Sequence, residues 1–418
     1  MVVGERLHVA VIKEIADVQQ RARWTGDTQK KKSRTKKWSE KSWYDDYSRS
    51  FGLSRPRIKT NPDQDAEWEC KELLGRGSFG VVGLWTKSDS RGNVIDAVAI
   101  KQTDAERREI TPEGETTIPW EALIMHELTA RGCTNIVQLR RVVVFPLEKP
   151  VQWRFYMEVS RYGTLSDLVR AYKKKNERLP EAFIWQAFND FARVAVHMSN
   201  IRFDDSVAPR GKNPFILHLD LKHDNVLLGD APSREEGLHY PSVKVADWGL
   251  AEFTSVDSSE NSRKWRNYGT RVWMPPEQRH SGTYGRDWRR NVFGSSTAPF
   301  TMKHVVWQMA ACVYGLMTLE QHNYNIDRLV DRYEDREEEL RGQGYSVLGG
   351  YSSRVYSKSL CKLVEECLLV DPKLRPSPRE LREKTLANWK PHFAKFKKAG
   401  YKNPVPMQFP KNLKLELP

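Results

Sequence analysis

Cysteine is scarce in this chain. Its 418 residues include five, at positions 70, 133, 312, 361 and 367, an odd number with no pair two residues apart. That spacing argues against a disulfide framework and a zinc knuckle, so reduced thiols are expected, in an intracellular protein of the cytoplasm or nucleus. A long apolar run is also missing. The longest, Val305–Met317, falls short of the ~20 residues that cross a bilayer and reads as a buried core helix. No apolar stretch follows a basic start, so no secretory signal is expected. Internal repeats are absent, and acids are outnumbered, 54 against 68 Lys and Arg, for a net charge of +14.

The basic excess is uneven. Residues 21–41 carry nine Lys or Arg and two acids, with a dense run at 30–37. Such a run suits a nuclear address, or a weak contact to nucleic acid or an anionic surface; the plainer reading is a solvated tail without a partner. Residues 1–66 show no sustained period and are expected to be a disordered extension, with order beginning near Trp68. Short apolar strand-like segments and one main helix, beginning with Pro119 in its first turn, follow to about residue 160. Helical periodicity dominates from Pro180 onward, with Phe183, Ala187, Phe191, Val194 and Met198 at three- and four-residue steps. Further strands are expected at 136–139, 142–145 and 155–159. Helices are expected at 303–318, 323–341, 357–370 and 377–390, polar inserts at 200–214 and 278–303, and a loose basic tail over 391–418.

Several motifs lie on this frame. Gly75-x-Gly77-x-x-Gly80-x-Val82 is ambiguous alone: dinucleotide folds share the spacing but run into a helix, and a plain hairpin shares it too. Here apolar Val81-Val82-Gly83-Leu84 follows, which favours a turn between strands. Val98-Ala99-Ile100-Lys101 ends a strand on a lysine, which needs an anionic partner if it points inward. His218-Leu219-Asp220-Leu221-Lys222-His223-Asp224-Asn225 gathers an acid, a cation and an amide in one loop, and alone could be a polar turn. Asp247-Trp248-Gly249 follows an apolar strand. Gly269-Thr270, Pro275-Pro276-Glu277 and Asp371-Pro372-Lys373-Leu374-Arg375-Pro376 complete the series.

In this order the motifs resemble those of eukaryotic protein kinases of the Ser/Thr type, over about residues 67–390. A looser similarity, through Trp273–Gln278 and Val306-Trp307-Gln308, is to divergent kinases of filamentous fungi. The resemblance implies an α+β, bilobal fold: a small antiparallel sheet lobe with one main helix over about 67–160, and a larger, mostly helical lobe over about 161–390. It implies ATP and Mg²⁺ as cofactors, a protein substrate, a monomer and no transmembrane segment. Asp220 would orient and deprotonate the acceptor hydroxyl, and Lys222 would steady the γ-phosphate. Leu74, Gly75, Gly77, Gly80, Val82, Lys101, Glu121, Glu158 and Ser160 would hold the nucleotide, and Asn225 and Asp247 the metal. Glu121 is the first choice to orient Lys101, ahead of Glu115 and Glu127. Glu277 would pair with Arg375.

Two positions depart from the pattern. Leu219 stands where an arginine usually receives an activation-segment phosphate, so activity without strict dependence on phosphorylation is expected. Val305 stands where an aspartate usually holds the catalytic-loop backbone, and His304 could replace it only if the register slips by one. These departures sustain an alternative, a pseudokinase or nucleotide-binding scaffold that recruits partners.

Overall fold

The structure, a computed structural model, describes residues 57–59, 67–77, 80–104, 109–110, 118–145, 152–199, 201, 213–230, 240–262, 264–279, 299–320 and 355–398. The basic run at 30–37, most of the inserts at 200–214 and 278–303, the helix expected over 323–341 and residues 399–418 lie outside them. The chain divides into two compact units, one of residues 1–126, 138–159 and 414–418, the other of residues 127–137 and 160–413. Among the described residues no helix is long and apolar enough to cross a membrane.

The first unit is built on a six-stranded sheet. Its strands are β1 (Arg57–Lys59), β2 (Glu67–Gly77), β3 (Gly80–Ser88), β4 (Val94–Asp104), β7 (Leu139–Phe145) and β8 (Gln152–Met157). They lie in the order β1-β2-β3-β4-β8-β7, and every neighbouring pair is antiparallel. Alternating apolar residues supply the core: Cys70, Trp85, Val98 and Ile100 are buried together, with Trp68, Val81 and Tyr156 packed against them. Pairing starts earlier than expected, since Arg57–Lys59 lies opposite Glu67–Glu69. Its short, two-thirds basic sequence carries no apolar alternation that could have flagged it, as befits an edge strand.

Two small strands, β5 (Glu109–Ile110) and β6 (Ile118–Pro119), precede α1 (Trp120–Ala130). Pro119 therefore ends a strand and does not occupy the first helical turn. On α1, Ala122, Met125 and Leu128 recur at three-residue steps and are buried with Ile124. The two strands expected over 136–139 and 142–145 resolve differently. Leu139–Phe145 is one strand, with a register shift between Leu139 and Arg141, whereas Ile136 bridges Val245 in the second unit's own structure.

The second unit is mostly helical: α2 (Leu165–Lys175), α3 (Glu181–Met198), α4 (Met302–Thr318), α5 (Lys358–Cys367) and α6 (Pro378–Lys398). α2 begins with a capping box, in which Thr164 accepts from the Asp167 amide and Asp167 accepts from the Thr164 amide. Three lysines in its last turn suit the negative end of the helix dipole. α3 is buried along most of its length, packing against α4 and α6. α6 runs eight residues beyond the expected end at 390 and includes Pro391. Proline forfeits one N–H and crowds the carbonyl four residues back, yet the helix continues past it to Lys398.

Two short antiparallel pairs hold the loops of interest. β9 (Phe215–Leu217) pairs with β12 (Glu252–Thr254), and β10 (Val226–Gly229) with β11 (Ser242–Val245). α3 fixes β11 through a buried carboxylate: Asp190 Oδ2 accepts from Ser242 Oγ at 3.0 Å and from the Val243 amide at 3.1 Å.

Candidate active site

In the first unit, β2 and β3 stay paired down to Gly77 opposite Gly80. The glycine segment is thus a strand-to-strand turn, which removes the dinucleotide-fold alternative. Gly80 has φ +139°, and a Cβ there would lie 2.1 Å from the Gln102 carbonyl oxygen. Only glycine lets β3 start so close to β4. Gly75 has open space around its Cα, and Leu74 and Val82 are half-buried.

Val82 pairs across the sheet with Lys101, which pairs on its other side with Phe155. The Lys101 side chain is buried, and its Nζ donates to both Glu121 oxygens, at 2.8 and 2.9 Å. The same nitrogen lies 5.9 Å from the Phe155 ring centroid. A buried ammonium without a carboxylate would be costly, and Glu121 from α1 supplies one. Glu127 pairs instead with Arg131, at 3.6 Å. Glu115 is not among the described residues. Glu158 donates its amide to the Gln138 carbonyl and accepts from the Gln138 amide, both at 3.0 Å, so it also closes the sheet.

In the second unit, β9 leads into His218, Leu219 and Asp220. Leu219 is fully buried with φ +63°. That left-handed conformation costs a leucine about 1–2 kcal/mol. It is held from outside, because Gln278 Nε2 donates to the Leu219 carbonyl at 3.2 Å. The Asp220 carboxylate then gathers four hydrogen bonds. Oδ1 accepts from the Thr270 hydroxyl at 2.7 Å and the Thr270 amide at 2.8 Å. Oδ2 accepts from Lys222 Nζ at 2.9 Å and Asn225 Nδ2 at 3.2 Å. Lys222 Nζ also donates to the Thr270 hydroxyl, at 2.8 Å. Gly269, with φ +102°, makes this possible, since a Cβ there would lie 2.4 Å from the Leu219 carbonyl oxygen.

Asn225 Nδ2 donates as well to the Asp220 carbonyl at 2.9 Å, which turns the amide oxygen away from the carboxylate. Asp247 follows immediately on Ala246, whose amide donates to the Asn225 carbonyl at 2.9 Å and whose carbonyl accepts from His218 Nε2 at 3.1 Å. Burial lowers the His218 pKa, against the pull of Asp220 and Asp247; because a carbonyl only accepts, Nε2 carries the hydrogen in its bond to Ala246. Asp247 itself is left-handed, φ +58°. Trp248 is fully buried, its ring 4.7 Å from the His218 ring. Tryptophan is thus accepted as apolar packing at the middle of the Asp-Trp-Gly triplet.

Glu277 and Arg375 form the expected pair, a bidentate one at 2.7 and 2.9 Å with both side chains buried. Burial alone would raise the Glu277 pKa, but the Arg375 charge and hydrogen bonds, helped by His304, take it below the usual carboxylate range. His304 Nδ1 is 3.8 Å from Glu277 Oε1, so its buried ring lies beside this ion pair.

Asp220, Lys222 and Asn225 come together in direct contact, Asp247 adjoins them through Ala246, and Lys101 meets Glu121. Ser160 begins the longer of the second unit's two stretches of chain, and its buried Oγ finds no hydrogen-bond partner among the described residues. Two residues that hold this site in place, Thr270 and Gln278, drew no assignment from sequence. The Gly269-Thr270 pair was visible, but only as a subtype marker.

Residues 68–386 match the protein kinase domain family. The chain belongs to the protein kinases. It is similar to a probable serine/threonine-protein kinase nek2 from Dictyostelium discoideum, 24% identical over 75% of this chain and 61% of the relative. It is also similar to the G2-specific protein kinase nim-1 from Neurospora crassa, 22% identical over 75% of this chain and 32% of the relative. Serine/threonine-protein kinase D3 from Homo sapiens is 27% identical over 58% of this chain and 23% of the relative. The kinase chain therefore spans less than two thirds of the length of each of these relatives.

The polar groups fit the nucleotide and metal that the family uses. Mg²⁺ takes oxygen donors from one or two side chains plus phosphates. Asn225, with its amide nitrogen already bonded to Asp220, and Asp247 offer such oxygens. Lys101 offers a buried cation already oriented by its carboxylate.

Proposed function

We propose that this kinase transfers the γ-phosphate of ATP to Ser or Thr hydroxyls of protein substrates. The observation that carries the reading is the Asp220 carboxylate, held between Thr270, Lys222 and Asn225. Bound Mg-ATP would supply the transferable phosphoryl group and neutralise charge as it develops. Leu74, Val82 and the glycine turn (Gly75, Gly77, Gly80) would cover the nucleotide. Glu158 and Ser160 would hold its base through their backbone, and Lys101 would hold its phosphates.

Asn225 and Asp247 would present oxygens to the metal. Asp220 orients the acceptor hydroxyl and takes its proton. Lys222 faces the transferred group. This division of labour is mostly positioning and electrostatics, which together account for large rate enhancements in phosphoryl transfer. The names of the similar proteins support Ser/Thr as the acceptor class.

The test uses purified full-length protein with Mg-ATP and generic basic and acidic protein substrates, beside D220N and D247A. Wild type should transfer phosphate and both variants should lose it. Transfer no greater than the variants, together with ATP-dependent thermal stabilisation, would instead establish a nucleotide-binding scaffold.

A further inference from the structure

Val305 leaves the catalytic loop without a carboxylate at the start of α4. The structure shows a different tie between the same two elements. His223 lies in the loop, two residues before Asn225, and its side chain is fully buried. Its Nε2 is 2.7 Å from the carbonyl oxygen of Cys312, in the middle of α4. A carbonyl only accepts, so Nε2 carries the hydrogen and donates it.

The seat for this ring is made by a glycine. At Gly315, one helical turn along α4, a Cβ would lie 2.5 Å from His223 Cε1 and 3.0 Å from Nε2. Glycine is a poor choice inside a helix, where its freedom in the unfolded chain works against order. Here it opens the notch that lets the ring reach the carbonyl. The ring also meets Trp273, with centroids 4.7 Å apart. Trp273 ends the short turn that begins just after Thr270.

We propose that His223 is a positioning residue: by donating to Cys312 in the notch at Gly315, it pins the catalytic loop to α4 and fixes where Asp220 and Asn225 stand. The link is short. His223 opens a 3₁₀ turn that ends at Asn225, closed by the Val226 amide donating to the His223 carbonyl. Asn225 in turn holds the Asp220 backbone and carboxylate. Through Trp273 the same ring also supports the segment that carries Thr270. One buried imidazole thus lies under both walls of the Asp220 site.

This inference rests on the kinase reading for its catalytic consequence, but not for its structural one, so two readouts separate them. In full-length H223F the ring volume is kept and the donor is lost. Steady-state phosphotransfer should show kcat down about tenfold to hundredfold with the KM for ATP nearly unchanged, since misplacement of catalytic groups acts on the chemical step. Hydrogen exchange without nucleotide should speed up at the amides of residues 220–226. H223Q, whose amide nitrogen reaches the same carbonyl, should recover most of both.

Folded H223F with wild-type exchange in the loop would overturn the anchor, as would a kcat loss that H223Q does not relieve. A wild type without phosphotransfer, but with faster loop exchange in H223F, would remove the kinase reading and leave the anchor standing. Should H223F not fold, G315A carries the same test. Its methyl group displaces the ring while alanine favours the helix, so loop exchange should rise. A G315A protein with unchanged loop exchange overturns the proposal.

Discussion

Arg375 grips both oxygens of Glu277 with its two terminal nitrogens, across 98 residues of chain and out of contact with water. The guanidinium does more than neutralise. Its Nε and terminal nitrogens also donate to the carbonyls of Leu369, Val370 and Lys303. One side chain therefore joins the start of α4, the segment after α5 and the Pro-Pro-Glu turn.

Removing one partner strands the other. E277Q should destabilise the second unit by about 3–5 kcal/mol, the usual consequence of leaving a buried charge uncompensated. Urea unfolding followed by tryptophan fluorescence reads this directly. A loss below about 1 kcal/mol would mean that the pair behaves as an exposed one.

Thr270 has a hydroxyl bonded to both Asp220 and Lys222 and an amide bonded to Asp220. T270V keeps the amide and the shape but drops the hydroxyl. We expect kcat to fall about tenfold or more, with little change in thermal stability, because the effect lies in how Asp220 and Lys222 are aimed. T270S should restore the rate. Equal activity in T270V and wild type would deny the hydroxyl any part in the site.

Asp190 gives the stability a pH signature. Burial pushes its pKa up to about 6, opposed by the bonds from Val243 and Ser242 and the charges of Arg193 and Arg382. A folded-state pKa above the unfolded one means the fold holds the proton more tightly. The stabilisation is full below about pH 4 and is lost as pH rises through about 6. D190N stays neutral and keeps an oxygen for Ser242 and Val243. It should be more stable than wild type at pH 7, on the order of 2 kcal/mol, with the advantage shrinking by pH 4.5. Urea midpoints for both proteins at the two pH values check the sign; an equal gap at both would refute it.

A buried asparagine ties the Ser/Thr-rich segment after Gly249 to the residues just ahead of α4. Asn261 Nδ2 donates to the carbonyls of Ser255, at 2.8 Å, and Phe300, at 3.0 Å, and its Oδ1 accepts from the Phe300 amide at 2.7 Å. Ser255, Ser262 and Trp265 of the same segment are buried. With Leu219 in place of an arginine, phosphatase treatment should leave kcat within about twofold, whereas N261A, by stranding buried backbone groups, should reduce it and cost about 1–3 kcal/mol of stability. A collapse of activity on dephosphorylation would reverse this.

The parts of the site that were legible in the sequence are those carried by local spacing. Asp220, Lys222 and Asn225 share one loop, so their separation along the chain sets their separation in space. The Val-Ala-Ile-Lys strand announces a lysine that needs an acid, and Glu121 supplies one from the next helix. Thr270, Gln278 and His223 were not legible in this way. Each acts by meeting a segment tens of residues away, and nothing in its own neighbourhood marks it. His223 in particular needed Gly315, 92 positions on, to explain it. Element boundaries failed for related reasons: β1 has no apolar alternation, and Pro391 is a local breaker that the surrounding helix of α6 overrides.

The five thiols have a practical consequence. All are unbridged and buried, and burial raises the pKa of Cys133 to about 12 and moves Cys312 and Cys367 well above the ordinary range. A thiolate is the reactive form, so these sulfurs are silent while the fold is closed. Each becomes an alkylation site only when its own neighbourhood opens. With Cys70 in the sheet core, Cys312 under the catalytic loop and Cys367 at the end of α5, a timed alkylating pulse read by mass spectrometry would date the opening of three separate regions in one unlabelled protein.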